Sequence, residues 1–201
     1  MTATPYPNGT SLTSTALTLA QVNRLLQSWT CAAIGVNPPD YSLVRVDWPT
    51  EGQPFVNTAA DNVCFLRAVI EDDSYDKLRD QARDRATTPA PVTYTWTYTR
   101  VWSMSWTFYG PSGTDNARAV RSALFLDYFT DLLATSQLFP NPDHRAPTRT
   151  PEQMNAQWYE RADFSCQMNE FVTETITVPS VTSVPVTVAS EDTSTSLIIT
   201  T

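Results

Sequence analysis

With 201 residues, 41% of them hydrophobic, the chain is long enough to fold as one domain with a sizeable core. A net charge of −8 and an isoelectric point of about 4.5 exclude a protein that grips nucleic acid tightly through clustered cations. No run of about 18 apolar residues is present, and the N-terminus lacks a basic-then-apolar signal pattern, so neither a membrane span nor a secretory leader is expected.

Residues 1–14 read as a flexible leader. A helix is predicted from Leu17 to Cys31, capped by Thr15 or Thr18, because Val22, Leu25, Leu26 and Trp29 fall at i, i+3, i+4 and i+7. Asn37-Pro38-Pro39 ends that unit. Leu43 to Trp48 then alternates as a short strand, and Pro49 to Pro54 reads as a turn. Asn62 to Glu71 is apolar on both faces, which predicts a strand inside a sheet rather than at its edge. The charged, proline-stiffened connection from Glu71 to Pro91 is long for a passive loop, and part of it, Tyr75 to Arg85, reads as a short helix.

Thr93 to Tyr109 organises the rest. Its even positions, Tyr94, Trp96, Tyr98, Arg100, Trp102, Met104, Trp106 and Phe108, form one largely aromatic face. Its odd positions, apart from Val101, are threonines, serines and a tyrosine. Successive side chains of a strand point to opposite faces, so this is a strand with one greasy and one hydroxyl face. At about 3.4 Å per residue it would reach on the order of 55 Å, so part of it is expected to project as an arm or to bend at a bulge. Exposed, the tryptophans would stack sugars or bases; buried, they form the core beneath the helices, which is the preferred reading.

Gly110-Pro111-Ser112-Gly113 makes a turn, and Thr114 or Asp115 caps a second helix from Asn116 to Thr135. Its stripe is Ala117, Val120, Leu124, Tyr128 and Leu132, widened by Phe125 and Phe129. Leu138 to Pro151 carries four prolines and reads as an extended strap, with His144 exposed on it. Met154 to Val178 is a second long alternating stretch, with Trp158, Ala162, Phe164, Cys166, Met168, Val172, Ile176 and Val178 on one face. An antiparallel pairing of the two long strands is expected. The fold class is therefore α+β: a two-layer domain with a mainly antiparallel sheet of long hairpin strands, covered by two helices. Residues 15–178 make that single domain, and 179–201 an extended C-terminal tail.

No catalytic constellation emerges. His144 has no nucleophile signature to serve, Cys31, Cys64 and Cys166 lack metal-ligand spacing and read as reduced and buried, and Glu160 and Asp163 fall on opposite strand faces. Glu71-Asp72-Asp73 reads as a solvated acidic turn. No catalytic, cofactor or metal residues are assigned, and no enzymatic activity is expected. The candidates are contacts between subunits or with neighbouring proteins: Arg79, Arg83 and Arg85 on the connection, and the strand-forming Val184, Val186 and Val188 of the tail.

Several stretches together resemble the neck or tail terminator proteins of tailed bacteriophages. They are Asn37-Pro38-Pro39, Val44-Arg45-Val46, Trp48-Pro49, Gly52-Gln53-Pro54, Val63 to Arg67, Tyr109-Gly110-Pro111 and Asp115 to Arg118. The pattern continues through Phe125-Leu126-Asp127, Pro142-Asp143, Ala146-Pro147, Arg149, Pro151-Glu152, Gln157-Trp158, Glu160-Arg161 and Asn169-Glu170. The resemblance implies a ring, usually a hexamer, that terminates the tail tube and joins it to the head connector or stopper. DNA would pass through its channel without specific binding. Such a protein sits in the virion neck and is assembled in the host cytoplasm; it needs no cofactor. Another neck ring, an adaptor or a stopper, is the alternative, and a carbohydrate-binding β module the alternative from a different class.

Overall fold

The computed structural model describes residues 10–47, 62–71, 79–84, 91–154, 156–179, 183–189 and 194–200. Trp48, Pro49 to Pro54, Asp72 to Leu78 and Arg85 lie outside them. The chain divides into two compact units. The larger comprises Ala16–Leu78 and Tyr98–Val172; the smaller comprises Met1–Thr15, Arg79–Thr97 and Thr173–Thr201.

In the larger unit, helix α1 spans Leu19–Ala33. Thr18 caps it: its hydroxyl accepts from the Gln21 amide, while the Gln21 side chain accepts from the Thr18 amide. Val22, Leu26 and Trp29 turn inward, as their spacing predicts. Strand β2 (Val44–Val46) runs parallel to β3 (Val63–Ile70), and β3 runs antiparallel to the far half of β5 (Val92–Tyr109). Strand β3 thus lies inside the sheet, as expected of a segment apolar on both sides. The other long strand, β10 (Arg161–Val178), lies next to β5. Arg100 meets Glu170 and Thr107 meets Asp163, so the two strands run in opposite directions.

Tyr98, Trp102, Met104, Trp106 and Phe108 are buried, and Ala162, Phe164, Cys166, Met168 and Val172 of β10 bury beside them. Among the described residues, Trp102 and Trp106 therefore form core and not an open stacking row. At about 25 cal/mol per Å² and up to about 250 Å² per ring, these aromatics dominate the stability of the core. All three cysteines are free and buried, and burial raises each thiol's pKa.

Several expectations require correction. The helix expected over Asn116–Thr135 is two: α2 (Gly113–Ala123) and α3 (Asp127–Ala134). The break follows from Leu126, whose extended backbone (φ −99°, ψ 125°) starts a new helix at Asp127, a carboxylate suited to a helix N-terminus. Breaking there rotates the second half. Leu133 becomes the buried residue of α3, while Tyr128 and Leu132 of the expected stripe stay exposed. The first helix starts after Ser112, not at Thr114 or Asp115, because Gly113 packs close under Phe108, where a Cβ would meet its carbonyl oxygen at 3.3 Å.

The proline strap is ordered in part. Leu138–Pro140 (β6) and Thr148–Arg149 (β7) each pair with β10. The second long stretch is interrupted: Glu152–Met154 (β8) and Gln157–Tyr159 (β9) form their own hairpin, turning at Ala156 with φ +64°. Trp158 is consequently exposed rather than aligned with the β10 core row.

In the smaller unit, the near half of β5 is flanked by β4 (Asp80–Asp84), which pairs with Thr93–Thr97. Part of the stretch read as a helix, Tyr75 to Arg85, is therefore strand. Alternating Gln81, Ala82 and Arg83 suit an exposed edge better than an isolated short helix. Ser11–Ser14 (β1), within the expected leader, pairs with Glu174–Thr177 of β10. Trp96 is half-buried here and stacks on Tyr94 at 5.9 Å, so it does not join the tryptophans under the helices. In the tail, Ser183–Ala189 (β11) and Ser194–Thr200 (β12) form a separate antiparallel ribbon.

Candidate functional site

Two opposite charges interrupt the apolar rows of the long strands at inward positions, Arg100 on β5 and Glu170 on β10. They meet. Glu170 is 1% exposed and its Oε2 accepts from Arg100 Nη2 at 2.6 Å, Arg100 Nε at 2.8 Å and Trp102 Nε1 at 2.6 Å. Its Oε1 accepts from the Leu17 amide at 2.7 Å, and Arg100 Nη2 also donates to the Leu17 carbonyl. The guanidinium lies 5.0 Å from the Trp102 ring. This node fixes the entry to α1 against both strands, and its charges are mutually satisfied. Sequence reasoning missed it, although a carboxylate amid the apolar row from Ala162 to Val172 and a lone cation in the row from Tyr94 to Phe108 were the signal.

A second network lies on the hydroxyl face. Arg161 donates to Asp163 at 2.9 Å and to Glu152 at 3.1 Å. Tyr109 donates to the same Glu152 oxygen at 2.6 Å, and Thr107 donates to Asp163 at 2.9 Å. Burial, then the hydrogen bond to Glu152, pushes the Tyr109 phenol up to about 12. The Tyr109 bond in turn holds Glu152 below the usual carboxylate range. The network ties the β8–β9 hairpin to β5 and β10.

Beside it runs a shallow groove of about 510 Å³, lined among others by Asp47, Arg67, Ser105, Arg145, Asp163 and Ser165. It follows from alternation. Phe65, Arg67 and Val69 sit opposite Thr107, Ser105 and Ser103 on the face turned away from the helices. All three helices among the described residues bury their apolar side chains on the other face, with Trp102, Met104 and Trp106. Arg67 and Arg145 are exposed and have no carboxylate partner among the described residues.

On the helix layer the α2–α3 corner exposes Phe125 (53%), Leu126 (53%), Tyr128 (67%) and Leu132 (37%). An apolar cluster of this kind on a monomer marks a contact surface. Behind it His144, expected to be exposed, is 8% exposed, 5.4 Å from Phe125 and 6.4 Å from Phe164, with no hydrogen bond to Nδ1 among the described residues. Burial, then the charge of Arg121, lowers its pKa from the ordinary histidine value, against a smaller opposite pull from Asp143. A histidine that binds its proton less readily folded than unfolded destabilises the fold as pH falls through about 6.5. Between pH 7 and pH 5, thermal melts should show the wild type losing more stability than His144→Gln.

The candidate contact residues of the smaller unit fall on edges and ribbons. Arg79 pairs with Glu174 at 3.0 Å within the unit, and Arg83 on the edge strand β4 lies 5.4 Å from the Tyr94 ring. Arg85 lies outside the described residues. Val184, Val186 and Val188 alternate along β11, in register with Ile199, Leu197 and Thr195 of β12. Among the described residues no group of His, Cys, Asp and Glu is placed to hold a metal ion, and no helix is long and apolar enough to cross a membrane.

Open faces, an apolar corner and strand edges are the equipment of a protein that works by contact with other proteins. The family model of the phage neck terminator protein matches residues 20–192, most of the chain and both of its units. The chain belongs to that family: it is a structural protein of the bacteriophage virion, a tail terminator of the neck. No curated protein matches the chain.

Proposed function

We infer that the protein assembles as a closed ring, a hexamer by family resemblance, that ends growth of the tail tube and joins it to the connector or stopper of the head. The observation that carries this is the neck-terminator match across residues 20–192. Two further features support it. The helix corner and the hydroxyl face are different surfaces of one unit, as a ring built from a single repeated head-to-tail contact requires. The net charge of −8 suits a wall past which DNA moves without sticking.

The protein works without a cofactor and without catalysis, in the neck of the virion after assembly in the host cytoplasm. Residues 15–178 act as the ring-forming body in this reading. The tail from 179 onward, with the β11–β12 ribbon, meets a neighbouring protein, because a two-stranded ribbon by itself is marginally stable in water. Arg79, Arg83 and Arg85 set register with a neighbouring protein, each exposed pair contributing about 0–1 kcal/mol. Heads and tails made without this chain should join when the full-length protein is added. A chain truncated after Pro179 should join them poorly. Normal joining by the truncated chain would remove the tail from the account, and no joining by either chain would remove the function.

A further inference from the structure

The two unpaired surfaces of the larger unit are complementary. Helix α3 presents Asp127 and Asp131, four residues apart, beside Tyr128 and Leu132 with the same spacing, and all four are exposed. The helix carries no cation, and neither carboxylate has an ion-pair partner among the described residues. The hydroxyl face offers the converse. Asp163 is held by Arg161, while Arg67 and Arg145 line the groove beside Asp47 with no ion pair to either arginine among the described residues. Half-buried Phe65 and exposed Val69 flank Arg67 on the same face.

We propose that α3 of one copy docks on the hydroxyl face of the next, Asp127 and Asp131 against Arg67 and Arg145, with Tyr128 and Leu132 against Phe65 and Val69. The occupant is a second copy of this chain. The contact rests on the ring reading and gives that ring its repeating interface. The sheet face turned away from each copy's own helices gains a helix layer, and the two sides of the contact are different surfaces, so every copy both gives and receives. Carboxylates on one side and guanidiniums on the other steer the docking and fix its register, while the apolar side chains supply most of the affinity.

The test uses two single-cysteine additions at exposed positions, Tyr128→Cys on α3 and Ser165→Cys in the groove. The native cysteines are buried and stay silent to a short bismaleimide. A mixture of the two variants should cross-link between copies, whereas each variant alone should not. In parallel, Arg67→Glu with Arg145→Glu should weaken self-association about tenfold or more, because like charges then oppose each other. Mixing that variant with Asp127→Lys plus Asp131→Lys should restore pairing.

If copies associate but the mixed cross-link and the charge dependence are both missing, this contact is wrong and the ring reading stands. Cross-linking of one variant to itself overturns the head-to-tail arrangement in favour of a two-fold one. If the wild type shows no association at any concentration, or in the presence of tail tubes, the contact and the ring fall together.

Discussion

Replacing Glu170 with alanine should lower the stability of the protein by about 3–5 kcal/mol, the cost of leaving one member of a buried ion pair without the other. Three donors lose their acceptor at once: the Arg100 guanidinium, the Trp102 indole and the Leu17 amide. Arg100 keeps its contact with the Leu17 carbonyl, but its charge stays in a largely buried site without its counter-charge. Glu170→Gln should cost less than alanine, because the amide oxygen can still accept while the compensating charge is gone. The double variant Glu170→Leu with Arg100→Leu should recover part of the loss, since a paired removal leaves no orphaned charge. Denaturant melts of these proteins and of the single Glu170→Leu and Arg100→Leu variants measure this, and additive losses in the double variant would show that the two residues do not act as a pair.

Trp106→Ala should cost a comparable amount, about 3–5 kcal/mol, through lost burial and the cavity left behind. The ring is fully buried, stacked on Phe164 at 5.5 Å and tilted against Trp29 at 6.4 Å, so neighbours on both β10 and α1 lose contact. Its Nε1 also donates to Thr30 Oγ1 at 2.9 Å, and Thr30 is itself fully buried. Trp106→Phe separates the two contributions. It keeps most of the apolar volume and should cost about 1–3 kcal/mol, much of it the stranded hydroxyl. Equal stability of wild type and Trp106→Ala in denaturant melts would mean that the aromatic face is not the core.

The α+β layering was legible because it rests on periodicity. Alternation in Thr93–Tyr109 placed Trp102 and Trp106 inside, and the Val22–Trp29 spacing placed α1 over them. Two-residue alternation does not say where a strand stops being covered, so Trp96 shared the pattern of Trp106 without sharing its burial. The break at Leu126 was hidden because Leu124, Tyr128 and Leu132, with Phe125 and Phe129, continue one apolar helical stripe across it, and only tertiary packing decides which of them turns inward. His144 went wrong for a related reason. Proline-rich composition describes an extended chain, not whether that chain lies against β10. Of the candidate surfaces, the groove was implicit in the hydroxyl row. The α3 corner was not, because its exposure depends on the helix break.

Solution mass combined with electron microscopy of the purified full-length chain tests for a closed ring of copies. The account predicts particles of one size, several times the 22.4 kDa of a single chain and near six copies, with a central hole. Where the free protein assembles only on its partner, the same ring should appear at the end of tail tubes mixed with it. Monomers that stay single in both settings, or open filaments of undefined length, would contradict it.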